Sequence, residues 1–120
     1  MRLKNSMFRI MGCEENVVKV ELDKNHPIYR THFPGNPITP GVCIVQMVGE
    51  LIADQLGVDS FCLHKVVNLK FISPISPIAE PVIDFTFSPI EWQKDEVKTK
   101  GTITAKGRIM TKFSIVYKTT

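Results

Sequence analysis

Apolar and polar side chains alternate over the opening of the chain. In NVVKVELDK (16–24), Val18, Val20 and Leu22 fall on one face and Lys19, Glu21 and Asp23 on the other, the period-two signature of a half-buried strand. MFRIM (7–11) reads as its hairpin partner. The pattern then breaks: HPIYRTHFPGNPITP carries four prolines and a glycine in 15 residues, which predicts an ordered loop without regular structure. Thr39-Pro40 predicts a helix start, with Thr39 as N-cap and Pro40 in the first helical position, where its missing N–H is not needed. The helix is expected over 40–56, stopping at Gly57. Val42, Ile44, Val45, Met47, Val48, Leu51, Ile52 and Leu56 make it apolar nearly all round, so it should be buried on most faces. Gln46, Glu50 and Asp54 recur every four residues and form one narrow polar stripe.

Strand patterns resume after the helix. LHKVVNLKFISPISP (63–77) ends in spaced prolines, as at a strand leaving a sheet edge. PVIDFTFSP (81–89) sets Ile83, Phe85 and Phe87 against Asp84, Thr86 and Ser88. EVKTKGTITA (96–105) and RIMTKFSIVYK (108–118) flank Lys106-Gly107, a two-residue hairpin turn. The sum is an α+β domain: an antiparallel sheet of five or six strands curled around one long central helix, which accounts for the helix's apolar circumference.

Composition narrows the function classes. A chain of 120 residues is read as one domain over 1–120, with 43% hydrophobic and 22% charged residues, ordinary for a folded soluble protein. The net charge of +3 is spread along the chain without basic–aromatic interleaving, which argues against nucleic acid. No apolar run approaches the roughly 20 residues that span a bilayer. MRLKNSMFRIMG has a basic start but neither the apolar core nor the cleavage site of a signal peptide, so a cytoplasmic location is expected. Cys13, Cys43 and Cys62 are odd in number and widely spaced, which fits a reducing compartment and neither a disulfide framework nor a metal site.

The run HFPGNPITPG, entering the helix, resembles the hot-dog-fold family of (3R)-hydroxyacyl-acyl-carrier-protein dehydratases. The family pattern is His-Phe-x-Gly-x-Pro-x-x-Pro-Gly, followed five residues later by Glu or Asp and four further on by Gln. His32, Phe33, Gly35, Pro37, Pro40 and Gly41 match with the same spacing. The likeness continues through LKFISPISP and the final hairpin, covering most of the chain. It implies elimination of water from a 3-hydroxyacyl thioester to give a trans-2-enoyl thioester, a reaction that needs a base, an acid and donors aimed at the thioester oxygen. The resemblance assigns the base to His32. Gly41, in the first helical turn, would offer an unpaired N–H and the positive end of the helix dipole, and its lack of a side chain would let substrate approach. Phe33, Gly35, Pro40 and Val42 are the further substrate-binding expectations.

The chain departs from the pattern at the acid. Gln46 occupies that position and Glu50 the family's Gln position, as if the two types were exchanged across one turn. Gln can hydrogen-bond a hydroxyl but has no proton to deliver, and losing positioned acid help costs about 10²–10⁴-fold. Glu50, roughly 6 Å along the helix on nearly the same side, could reach back into the same pocket as a relocated acid. Glu50 solvated or paired with a Lys, and Gln46 as a satisfied buried amide, are the alternatives. His26, His64 and Asp54 read as surface or structural, Cys43 as a small buried thiol, and Glu80 and Asp84 have no assigned partner.

The leading expectation is therefore a dehydratase with His32, Gln46 and Glu50 as catalytic residues. It needs no cofactor and takes its thioester on acyl carrier protein or coenzyme A. Two chains would build each site, as a homodimer or a higher assembly such as a dimer or trimer of dimers. The alternatives are a non-catalytic acyl-binding or scaffolding subunit of a heteromeric dehydratase or synthase, and an acyl thioesterase.

Overall fold

The computed structural model describes residues 2–31 and 35–119. The element order is β1 (Phe8–Glu14), β2 (Val17–Leu22), α1 (Ile28–Thr31), α2 (Gly41–Leu56), β3 (Phe61–Phe71), β4 (Val82–Phe87), β5 (Glu91–Gln93), β6 (Glu96–Ala105) and β7 (Arg108–Thr119). The strands make one antiparallel sheet in the order β1-β2-β4-β6-β7-β3, with β5 attached to β6. Among the described residues it has seven strands rather than five or six. The additional one, EWQ (91–93), is too short to show alternation and forms only as a hairpin extension of β6, where Trp92 packs edge-on against Phe61 at 5.9 Å.

The alternating patterns face as their sequences require. Val18, Val20 and Leu22, then Ile83, Phe85 and Phe87, point to one side and are buried with residues of β6 and β7. Against this side lies α2, whose Ile44, Met47, Val48, Leu51 and Ile52 belong to the same core. The final hairpin turns at Lys106 and Gly107, both with positive φ (52° and 76°), the geometry of a turn matched to strand twist.

Two details of the loop and helix start differ from expectation. Residues 28–31 form a single helical turn, begun by Pro27, whose fixed φ suits a helix start. Pro40, not Thr39, is the N-cap of α2, and among the described residues no side chain caps it. The Thr39 hydroxyl is instead committed to the Tyr29 hydroxyl at 2.9 Å. At the other end Gly57 takes the left-handed conformation (φ 70°) and closes the helix as expected.

Among the described residues β3 is an edge strand, paired to β7 alone, and nine of its eleven residues are exposed. Leu63, Val66, Val67 and Phe71 are among its exposed apolar residues. Its ladder with β7 slips twice, between Leu63 and Lys65 and between Val66 and Asn68, the bulged geometry that edges commonly carry.

Candidate active site

The chain's unusual chemistry collects at two places along α2. The first is its N-terminus. Pro40 ends the loop in extended conformation (φ −64°, ψ 146°), and its carbonyl accepts the first helical bonds, from the N–H groups of Cys43 and Ile44. The N–H of Gly41 thus belongs to the set that a helix leaves without an internal partner. The loop is held at both ends: Thr39 N–H donates to the Ile75 carbonyl at 2.8 Å, and the Tyr29–Thr39 hydroxyl pair is buried beside it. Burial raises the Tyr29 phenol to about 12, opposed in part by the bond to Thr39. Burial also pushes the Cys43 thiol up, so Cys43 stays a protonated core residue and not a nucleophile.

Beside this helix end lies an apolar cavity of about 490 Å³ between the start of α2 and the segment that leaves β3, lined by Ile38, Gly41, Ile44, Phe71, Ile72 and Ile75 among others. The space left by the missing side chain of Gly41 is occupied. A Cβ there would stand 2.8 Å from Cζ of Phe71 and 3.3 Å from Cε2, so the ring lies directly on the glycine. Phe71 is nonetheless 52% exposed, because its other face borders cavity and solvent.

The second place is the polar stripe, in a groove of about 520 Å³ between α2 and the start of β3. Gln46 and Glu50 are brought together: Gln46 Nε2 donates to Glu50 Oε2 at 2.8 Å. Glu50 also receives the backbone N–H of Leu3 on Oε2 and that of Lys4 on Oε1, each at 2.7 Å. One turn on, Asp54 pairs with Lys4 Nζ at 2.6 Å. The stripe therefore clasps the N-terminal segment onto the helix, and Leu3 and Met7 are buried beneath it.

The other expected residues are dispersed. Gly35 is exposed, at φ 89°, a value that only glycine adopts readily, so it shapes the turn. Pro40 is buried, whereas Val42 is 68% exposed on the groove side of the helix, unlike its apolar neighbours. His32 and Phe33 lie outside the described residues. Sequence reasoning did not find Phe71, the Tyr29–Thr39 pair or the Leu3–Lys4 amides. Phe71 sits within the LKFISPISP likeness, which was a usable signal; backbone amides 46 and 47 residues from their carboxylate leave none.

Residues 11–108 match the sequence model of the ApeI-like family, described as ApeI dehydratase. The chain belongs to the ApeI-like dehydratase family. It is also similar to the 3-hydroxyacyl-acyl-carrier-protein dehydratases FabZ of Aeromonas salmonicida and Caulobacter vibrioides. The first is 29% identical over 94 residues (72% of this chain, 60% of that protein) and the second 34% over 61 residues (44% and 38%). The chain thus spans less than two thirds of the length of these curated relatives.

Among solved structures it resembles a thioesterase from Haemophilus influenzae (TM-score 0.63, 14% identity, covering 92% of this chain and 76% of that one). It also resembles the dehydratase heterocomplex ApeI:P from Xenorhabdus doucetiae (TM-score 0.56, 19% identity, 86% of each chain). At these identities the structures establish the hot-dog fold. Among the described residues no helix is long and apolar enough to cross a membrane.

Proposed function

We propose that this chain is a subunit of a dehydratase that removes water from a 3-hydroxyacyl thioester carried on an acyl carrier protein. The observation that carries the reading is the motif ending at Gly41. It brings a helix end, whose first N–H has no partner within the helix, beside an apolar cavity, within a family of dehydratases. In the reaction His32 takes the proton from C2, the Gly41 N–H and helix dipole hold the negative charge that builds on the thioester oxygen, and the 3-hydroxyl leaves with a proton. The free cysteines fit a cytoplasmic setting.

The proton for the departing hydroxyl has two candidate sources. Glu50 is one, with Gln46 holding the hydroxyl, but it must first release the amides of Leu3 and Lys4. A carboxyl from a second chain is the other. The engagement of both Glu50 oxygens favours this second reading, in which the chain is one half of a heteromeric dehydratase. β3 is the docking edge in either assembly: long, unpaired on one side, and lined with exposed Leu63, Val66 and Val67.

The test is enoyl absorbance from a 3-hydroxyacyl carrier thioester. It is run with the purified chain alone, then with a related hot-dog chain bearing Glu or Asp where this one has Gln46. His32→Ala should remove the signal by about 10²-fold or more. Turnover by the chain alone that is lost in Glu50→Gln assigns the acid to Glu50; turnover only in the mixture, or in Gln46→Glu, assigns it elsewhere. No enoyl product under any of these conditions rejects the dehydratase reading, and thiol release from the same thioester would replace it with a thioesterase.

A further inference from the structure

We infer that Phe71 determines which acyl chains this site accepts, an inference that rests on the dehydratase reading above. The ring lies where a side chain of residue 41 would otherwise be, in contact with the backbone whose N–H would hold the thioester oxygen. It also walls the apolar cavity, together with Ile38, Ile44, Ile72 and Ile75. A thioester placed at Gly41 therefore has Phe71 as the first large group beside its acyl chain, and the ring forms one wall of the apolar cavity that would take that chain.

The position favours a selector over a core residue. Phe71 is the last residue of an edge strand, and in the single chain half its surface is open. Core aromatics such as Phe85 are fully enclosed by neighbours on all sides and cannot respond to a ligand. A ring fixed on one face and free on the other can hold its place for a short chain and resist a long one. The aliphatic walls offer a long chain favourable burial once the ring is removed. Discrimination by shape in an apolar pocket runs about 10-fold or more for each group gained or lost. Phe71 is thus expected to hold the enzyme to short 3-hydroxyacyl groups, and its removal to admit longer ones.

The experiment compares wild type, Phe71→Leu and Phe71→Ala on 3-hydroxyacyl carrier thioesters of short, medium and long chain, in the assembly that gives turnover. The readout is the ratio of kcat/KM for long over short chains. Phe71→Ala should raise that ratio by about 10-fold, with Phe71→Leu between it and wild type and with all three proteins showing the same cooperative unfolding. An unchanged ratio in a protein that still turns over, or a uniform loss across all lengths, overturns the inference and leaves the dehydratase reading standing. If no protein turns over, binding of saturated acyl carrier thioesters of the same lengths is measured by calorimetry. The same shift in the ratio of Kd values supports the inference, and absence of acyl binding at every length overturns it together with the reading beneath it.

Discussion

Removing the Glu50 carboxylate should loosen the N-terminal segment from α2, and the cost can be worked from the contacts. Glu50→Ala strips the acceptors from two backbone N–H groups at 2.7 Å and from the Gln46 amide. A hydrogen bond to a charged acceptor contributes roughly 1.5–3 kcal/mol. The site is only part-buried and water can reach the freed donors, so about 2 kcal/mol is expected for the two backbone bonds together after discounting for solvent. If the segment frays, burial of Leu3 is lost as well, adding about 1.5 kcal/mol. The surface pair between Lys4 and Asp54 adds at most about 1 kcal/mol. The variant should therefore unfold about 2–4.5 kcal/mol more easily, with Tm lower by roughly 4 °C for each kcal/mol. Urea unfolding measures the first number, and hydrogen exchange at the Leu3 and Lys4 amides locates the change. Glu50→Gln keeps one acceptor oxygen and should lose about half as much. A Glu50→Ala protein within about 0.5 kcal/mol of wild type, with both amides still protected, would refute the clasp.

Two further outcomes follow from the packing of α2. Gly49→Ala should destabilise by about 1–3 kcal/mol, because its Cβ would stand 2.8 Å from Cε1 of buried Tyr117, and the costs of Gly49→Ala and Tyr117→Leu should combine less than additively in urea unfolding. Stability should hold up to about pH 10 and then fall as pH rises further. Burial raises Tyr29 to about 12 and raises Tyr117 as well, so above the ordinary tyrosine range the unfolded chain has released protons that the folded chain keeps. Tyrosinate absorbance that appears together with unfolding, and at higher pH in the native protein than in urea, checks this sign.

The strands and the long helix were legible because their information is local. Ile83, Phe85 and Phe87 alternate within one strand, and Gly57 ends the helix from the residue next to it. What was missed depends on groups that meet only after folding. Thr39 has the chemistry of an N-cap, and nothing local reveals that Tyr29 will take its hydroxyl. The stripe of Gln46, Glu50 and Asp54 was visible as a stripe, but whether it faces substrate or the chain's own amides depends on where residues 3 and 4 return. The glycine of the motif was read as an opening for substrate, yet its neighbour is an aromatic ring from the far end of β3.

That ring has a counterpart. Gly41 and Gly49 stand eight residues apart, about 12 Å along the helix. Each accepts an aromatic side chain from a strand where its own Cβ would be: Phe71 from β3 on the first, Tyr117 from β7 on the second. Tyr117 also donates its hydroxyl to the Val45 carbonyl at 2.6 Å, which ties the helix backbone to the sheet between the two contacts. Two notches filled by two rings on paired strands fix α2 against sliding along its axis, since a shift of one residue would drive both rings into side chains. The position of the helix start relative to the end of β3 sets the width of the apolar cavity, and the same register sets how far the Gln46–Glu50 stripe stands from β3. Gly49 and Tyr117, far from the motif, therefore help set the spacing between the apolar cavity and the polar stripe, which the proposed substrate would have to bridge.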